Sequence, residues 1–284
     1  MSDNEKTLIN WYPGHMAKGF REIKQNATLA DVFIIVLDAR CPISSYNEDF
    51  DSVAPQKPRL FVVTKSDLMD RNKKDLIQKR FQNEKMLWLD LRQSKSRKLI
   101  LQEIKKMTKE KVMRDKEKGF ISSKIKIFVL GIPNAGKSTL INLMSQKKSL
   151  KVANYPGVTR VKKWVNIDNF FFMDTPGILI PKLTDQNAAT KLAMIGSIET
   201  KIFPLSFLAN SFYKMIVQYY PEKIENYYKI KINKFTDITD SDIYTFFTEV
   251  ANTMGLKYNI KNDLDKVYLH FINFVKNLKG ITYD

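Results

Sequence analysis

Residues Gly131-Ile132-Pro133-Asn134-Ala135-Gly136-Lys137-Ser138 fit the phosphate-loop pattern G-x-x-x-x-G-K-[ST] at every defined position. The apolar run Ile125 to Leu130 precedes them, and Leu140, Ile141, Leu143 and Met144 follow at helical spacing. A strand, a glycine-containing turn and a helix in that order aim backbone N–H groups and a helix N-terminus at one point, which suits phosphate. Such a loop sits at the carboxyl end of a parallel strand, so the chain is constrained to a doubly wound α/β sheet. Asn134, Ala135, Gly136 and Thr139 accompany Lys137, which reaches the β- and γ-oxygens, and Ser138, which would ligate Mg²⁺.

Two further phosphate-side elements lie downstream: Thr159 in Tyr-Pro-Gly-Val-Thr, and Asp174-Thr175-Pro176-Gly177. Asp174 is placed to hold a water of the Mg²⁺ shell, and Gly177 to offer its N–H to the γ-phosphate. Thr159 would close on Mg²⁺ only with the γ-phosphate present, an order–disorder switch. The base-reading element, Thr64-Lys65-Ser66-Asp67, precedes the phosphate loop instead of ending the series, so the motifs are circularly permuted. A nucleotide site needs spatial adjacency only, and a sheet tolerates such a rearrangement. Asp67 accepts from the N1–H and exocyclic amine of guanine, and the Lys65 stem packs on the ring, so the nucleotide is GTP or GDP. Thr64 stands where an asparagine is common, so one base-edge contact is either lost or taken over by a hydroxyl.

Periodicity supplies the frame. Met16, Phe20, Ile23, Ala27 and Ala30 mark one face of an opening helix, and Asp31 to Asp38 reads as a buried strand. Further strands are predicted at Leu60–Thr64, Met86–Leu91, Ile125–Leu130, Val161–Ile167 and Phe170–Asp174, making six in all. Asp168-Asn169 between the last two suits a hairpin, so one edge is antiparallel. Helices are predicted at about Lys73–Phe81, Leu99–Met113, Leu205–Val217, Asp240–Ala251 and Leu264–Leu278, with a linker or switch segment around 178–190. A GTPase domain over 1–180 and a small helical domain over 181–284 follow. The stripe Leu264, Val267, Tyr268, Phe271, Phe274, Val275 and Leu278 reads as core. Tyr219, Tyr220, Tyr227 and Tyr228 interleave with Lys214, Lys223, Lys229 and Lys231, either to stack on RNA bases or to pack between helices.

Charge points to a partner. Lys and Arg number 47 against 30 Asp and Glu, a net +17, and no acidic residue occurs from Lys118 to Ile167 against ten basic ones. Lys147, Lys148, Lys151, Arg160, Lys162 and Lys163 flank Thr159 and form a basic rim suited to a polyanion, RNA foremost. No stretch is long and apolar enough for a membrane span, and the single cysteine, Cys41, excludes an internal disulfide or a Cys-rich zinc site. A monomer in the cytoplasm, without membrane attachment, is the expectation.

The hydrolytic group is not evident. The position after Asp-x-x-Gly, where many GTPases carry a water-orienting glutamine, is Ile178. Only His15 and His270 are present; His270 reads as a surface residue, and spacing alone leaves His15 open between structure and catalysis.

Trp11-Tyr12-Pro13-Gly14-His15-Met16-Ala17-Lys18, Asp38-Ala39-Arg40, the phosphate loop, Pro156-Gly157-Val158-Thr159 and Asp174-Thr175-Pro176-Gly177-Ile178-Leu179 together resemble the YlqF/RbgA family, circularly permuted ribosome-biogenesis GTPases of the bacterial large subunit. Leu192 to Ile198 and Tyr220-Pro221-Glu222-Lys223-Ile224 extend the resemblance more weakly. It implies that His15 is catalytic, that Asn134 coordinates K⁺, and that the C-terminal helices contact ribosomal RNA. It also implies a 50S precursor, with its rRNA and ribosomal proteins, as partner. Asp90-Leu91-Arg92 lacks the Ser/Ala signature of a guanine-reading loop, and Gly255 to Asp284 lacks the family's paired glycines and arginine-rich tail. A nucleotide-gated RNA-binding module with vestigial hydrolysis is the alternative, favoured by Thr64 and Ile178.

Overall fold

The computed structural model describes residues 8–145, 163–181, 183–232, 238–255 and 262–284. The core is a six-stranded sheet of order β3-β2-β1-β4-β6-β5, built from β1 (Val32–Asp38), β2 (Arg59–Thr64), β3 (Lys85–Trp88), β4 (Ile125–Gly131), β5 (Lys163–Ile167) and β6 (Phe170–Asp174). Every neighbouring pair is parallel except β5–β6, which is antiparallel. The hairpin at Asp168-Asn169 turns through a left-handed Asp168, φ 52°, a conformation aspartate tolerates better than most residues. All seven residues of β1 are buried, which accounts for its unbroken apolar run: a central parallel strand has helices over both faces.

Helices α1 (Gly14–Asn26), α2 (Lys74–Arg80), α3 (Lys95–Met107), α4 (Lys109–Glu117) and α5 (Lys137–Ser145) accompany the sheet. After it come α6 (Gln186–Met194), α7 (Leu205–Tyr219), α8 (Pro221–Tyr228), α9 (Asp240–Thr253) and α10 (Asn262–Lys276). Three expectations are corrected. The helix predicted over Leu99–Met113 starts earlier and breaks at Thr108, whose hydroxyl donates to the Ile104 carbonyl at 2.8 Å; such back-bonding competes with the helix ladder. The strand predicted to reach Leu91 ends at Trp88, because the Asp90 carboxylate accepts from the Arg92 N–H at 3.0 Å and turns the chain. Within the expected linker, α6 begins at Gln186, capped by the Asp185 carboxylate accepting from the N–H groups of Asn187 and Ala188.

Val267, Phe271 and Val275 of α10 are buried, so the stripe is core, with Tyr213, Phe246 and Phe247 around Phe271. Tyr220 and Tyr228 are buried in the same layer, and Tyr219 stacks edge-on against Tyr283. Of the four tyrosines only Tyr227 is mostly exposed, so packing is the outcome for the others. His270 is half-buried rather than superficial, its Nδ1 3.1 Å from the Tyr228 hydroxyl. One cluster of buried side chains continues from a sheet face (Ile34, Val36, Leu60) into these helices (Phe212, Phe271).

The segment after α10 returns to the sheet. The N–H groups of Gly280 and Ile281 donate to the Leu68 carbonyl, and that of Tyr283 to the Arg40 carbonyl at 2.7 Å. Thr282 Oγ1 donates to Ala39 and accepts from the Asp70 N–H, both at 3.1 Å. The Asp284 carboxylate accepts from the N–H groups of Ile43 (2.7 Å) and Ser44 (3.0 Å) and pairs with Lys191 of α6 at 3.1 Å.

Candidate nucleotide site

The carboxyl ends of β1, β2, β4 and β6 carry the motif loops side by side. Between β4 and α5 the phosphate loop turns through Asn134, φ 56°, and Gly136, φ 104°; the second value is one that side-chain-bearing residues rarely adopt. Lys137 is 6 % exposed and its Nζ donates to the Ile132 carbonyl at 2.7 Å, folded over its own loop. Burial pushes its ammonium down to about 8, against the pull of Asp174. Ser138 Oγ donates to Asp174 Oδ2 at 2.8 Å. Burial raises the Asp174 carboxyl above its usual range, with Lys137 and Ser138 opposing.

Thr64 and Lys65, at the end of β2, brace the same loop. The Thr64 hydroxyl lies 2.6 Å from the Ala135 carbonyl and 3.1 Å from that of Leu37. A hydroxyl has one proton to donate, so these two acceptors already compete for it. Lys65 Nζ donates to the Asn134 carbonyl at 2.8 Å and pairs with Asp38 at 2.6 Å. Asp67 contacts Arg92, Nη2 to Oδ2 at 2.7 Å.

Asp38-Ala39-Arg40 had no assignable chemistry in the sequence beyond its part in the resemblance, and proves central. Asp38 is fully buried and accepts from Arg40 Nε (3.0 Å) and Nη2 (2.8 Å). Burial alone would raise its carboxyl, but Arg40 and Lys65 hold it well below the ordinary range. Arg40 Nη2 also donates to the Ile195 carbonyl at 3.0 Å. Ser197 Oγ donates to the Pro133 carbonyl (2.8 Å), and Asn134 Nδ2 to Gly196 (2.7 Å). The turn after α6 is therefore bonded directly to the phosphate loop, a connection between residues 62 and 64 positions apart that no local signal reveals.

The Asp-x-x-Gly segment lies against the phosphate loop and α1. A Cβ built on Gly177 would meet Pro133 N and Cα at 2.5 Å. Ile178 is 1 % exposed, its N–H donates to the Gly131 carbonyl at 3.1 Å, and it packs in the core beneath α1. A Cβ on Gly19 of α1 would lie 3.3 Å from Pro176 Cγ and 3.7 Å from Ile178 Cδ1. His15 is half-buried in the first turn of that helix, four residues before Gly19. Residues i and i+4 share a helix face, so His15 lies on the side of α1 turned to Asp-x-x-Gly. It is held on a helix and not on a loose leading segment. Thr139 follows Ser138 in α5. Thr159 and the basic rim lie outside the described residues, except that Lys163 opens β5.

A profile described as 50S ribosome-binding GTPase matches residues 126–234. Ribosome biogenesis GTPase A of Bacillus cereus is 34% identical over 251 residues, 87% of this chain and 83% of that protein. The chain belongs to the ribosome biogenesis GTPase A family. The Priestia megaterium protein of that name is 35% identical over 87% of this chain and 85% of its own. GDP-bound YlqF superposes with a TM-score of 0.63 at 21% identity, covering 93% of this chain and 98% of that one. The fold is accordingly the α/β fold of a circularly permuted P-loop GTPase, and the enzyme class is GTP hydrolase of ribosome biogenesis. A nucleotide site of this class uses Mg²⁺, and the residues fit it: beside Ser138 Oγ, Asp174 Oδ1 is buried and without a hydrogen-bond partner among the described residues. None of their helices is long and apolar enough to cross a membrane.

Proposed function

We propose that this enzyme binds the large ribosomal subunit precursor in its GTP form and hydrolyses GTP once docked, with His15 orienting the attacking water. The observation that carries the reading is the placement of Ile178 and His15. Ile178 is turned into the core, so the position that commonly holds a water-orienting glutamine has no polar group to offer. The helix packed directly on the Asp-x-x-Gly segment through Gly19 brings His15 to the same face one turn earlier. A neutral imidazole has one ring nitrogen without a proton, the atom that can accept one from the attacking water.

Lys65 and Asp67 bind the base side, with Thr64 bracing the loop beneath them through the Ala135 carbonyl, and Asn134 to Thr139 with Gly177 bind the phosphates. Ser138 and Thr159 would hold Mg²⁺, with Asp174 beside Ser138 supporting it, and the ion would supply positive charge against the phosphates. Asn134 commits its amide nitrogen to Gly196, and its amide oxygen is the atom suited to K⁺. Potassium then accelerates turnover relative to sodium, and Asn134→Ala removes the difference. A domain division at about residue 180, a monomer and a cytoplasmic setting complete the proposal. The surplus of 17 positive charges supports a ribosomal RNA partner, and affinity for the subunit should fall steeply with salt.

The test is His15→Ala. Binding of GTP and of the subunit should stay near wild type, while subunit-stimulated turnover falls by the ~10²–10⁴ typical of a positioned acid–base group. An unchanged stimulated rate would assign the water-orienting group to the ribosome.

A further inference from the structure

Guanine presents two edges to a protein. The N1–H and exocyclic amine donate, and on the reading above they donate to Asp67. O6 and N7 accept and require a donor. The residue at the asparagine position, Thr64, is 1 % exposed and has its single hydroxyl proton between the carbonyls of Ala135 and Leu37. It has nothing left for the base. The loop after β3 lacks the Ser/Ala signature as well, but it carries Arg92.

Arg92 is anchored on its own loop and reaches across to the base-reading carboxylate. Its Nε and Nη2 donate to the two oxygens of Asp90 at 2.9 and 3.0 Å, while Nη2 also contacts Asp67 Oδ2 at 2.7 Å. The same loop lies against the phosphate loop: a Cβ on Gly136 would be 3.6 Å from Leu91 Cδ1. A guanidinium offers five donors in a fixed fork, and in DNA recognition Arg donating to O6 and N7 is the commonest specific contact to guanine.

We propose that Arg92 is a specificity-determining residue of the nucleotide site, taking over the O6/N7 contact that Thr64 does not make. When guanine takes the Asp67 oxygens, Nη2 is released from Asp67. Arg92 stays in place through Asp90 and turns its remaining N–H groups toward O6 and N7. Asp90 is the positioning residue in this arrangement, because it fixes the guanidinium at the rim of the base site in both states.

This inference rests on Asp67 reading guanine, so the experiment separates the two claims. Affinities for GDP and 7-deaza-GDP, which lacks the N7 acceptor, are measured by calorimetry for wild type, Arg92→Ala and Arg92→Lys. The full-length Asp67→Asn variant is titrated with GDP and XDP, alone and combined with Arg92→Ala. Arg92→Ala should weaken GDP binding roughly 5- to 150-fold, the range of one good bidentate base contact. It should also erase the difference between GDP and 7-deaza-GDP that the wild type shows. Arg92→Lys should restore only part of the affinity, because an ammonium lacks the planar fork. XDP keeps O6 and N7, so its binding to Asp67→Asn should still depend on Arg92.

Tighter GDP binding in Arg92→Ala would overturn the proposal by showing that Arg92 only competes for Asp67. An equal loss for GDP and 7-deaza-GDP would overturn it by showing that Arg92 only shapes the loop. If Asp67→Asn keeps its GDP preference and gains no XDP binding, the reading of Asp67 fails and the proposal falls with it.

Discussion

Lys137 gives the most quantitative prediction. The residue is 6 % exposed, its ammonium donates to the Ile132 carbonyl, and burial lowers its pKa to about 8. Bound phosphates replace that carbonyl with anionic oxygens, which favour the charged form and return the pKa toward or above the ordinary lysine range. Nucleotide binding is then linked to proton uptake whenever Lys137 is partly neutral beforehand. The sign follows: a group with a higher pKa in the bound state favours binding at low pH, and the advantage is lost as pH rises through the lower, unbound value. With that value about 8, the charged fraction before binding falls from about nine-tenths at pH 7 to about one-tenth at pH 9, so GDP affinity drops about tenfold, or about 1.4 kcal/mol. Titration calorimetry at pH 8 in two buffers of different ionisation enthalpy should report uptake of about half a proton per GDP bound. Affinity independent of pH between 7 and 9, with no uptake at pH 8, would refute the argument and place Lys137 in an ordinary, solvated state.

Two other perturbations follow from the packing. Gly177→Ala sets a methyl group 2.5 Å from the Pro133 backbone, and overpacking of this kind costs about 1–3 kcal/mol. The strain falls where the γ-phosphate is sensed, so affinity for a non-hydrolysable GTP analogue should drop more than affinity for GDP in parallel titrations. Asp284→Ala removes the partner of Lys191 and the acceptor for two backbone N–H groups, so thermal unfolding should show a loss approaching the ~3–5 kcal/mol of a broken buried pair. A melting temperature within a degree of wild type would show that the tail contributes little.

What was legible in the sequence is what depends on local pattern. The phosphate loop, the six strands and the α10 stripe each follow from spacing within about a dozen residues, because a two-sided buried strand or an amphipathic helix must be written that way. Three features were not legible. Asp38-Ala39-Arg40 organises the base-reading lysine and the turn after α6, yet Arg40 meets the Ile195 carbonyl 155 residues away. Thr282 joins Ala39 across 243 residues, and nothing in Gly-Ile-Thr-Tyr-Asp signals a strap across the base-reading loop. Helix α6 was obscured by its small and polar residues, with the Asp185 cap as the one local cue. In the site, the sequence left one base-edge contact at Thr64 either lost or taken over by its hydroxyl, and the structure holds that hydroxyl against backbone carbonyls with Arg92 beside Asp67.

The most direct measurement of the central claim is GTP turnover with and without purified 50S particles, in potassium, for wild type and His15→Ala. The account predicts that the particles raise the wild-type rate well above its intrinsic value and that His15→Ala still binds them but loses the stimulation. Wild-type turnover indifferent to the particles, or full stimulation without His15, would contradict it.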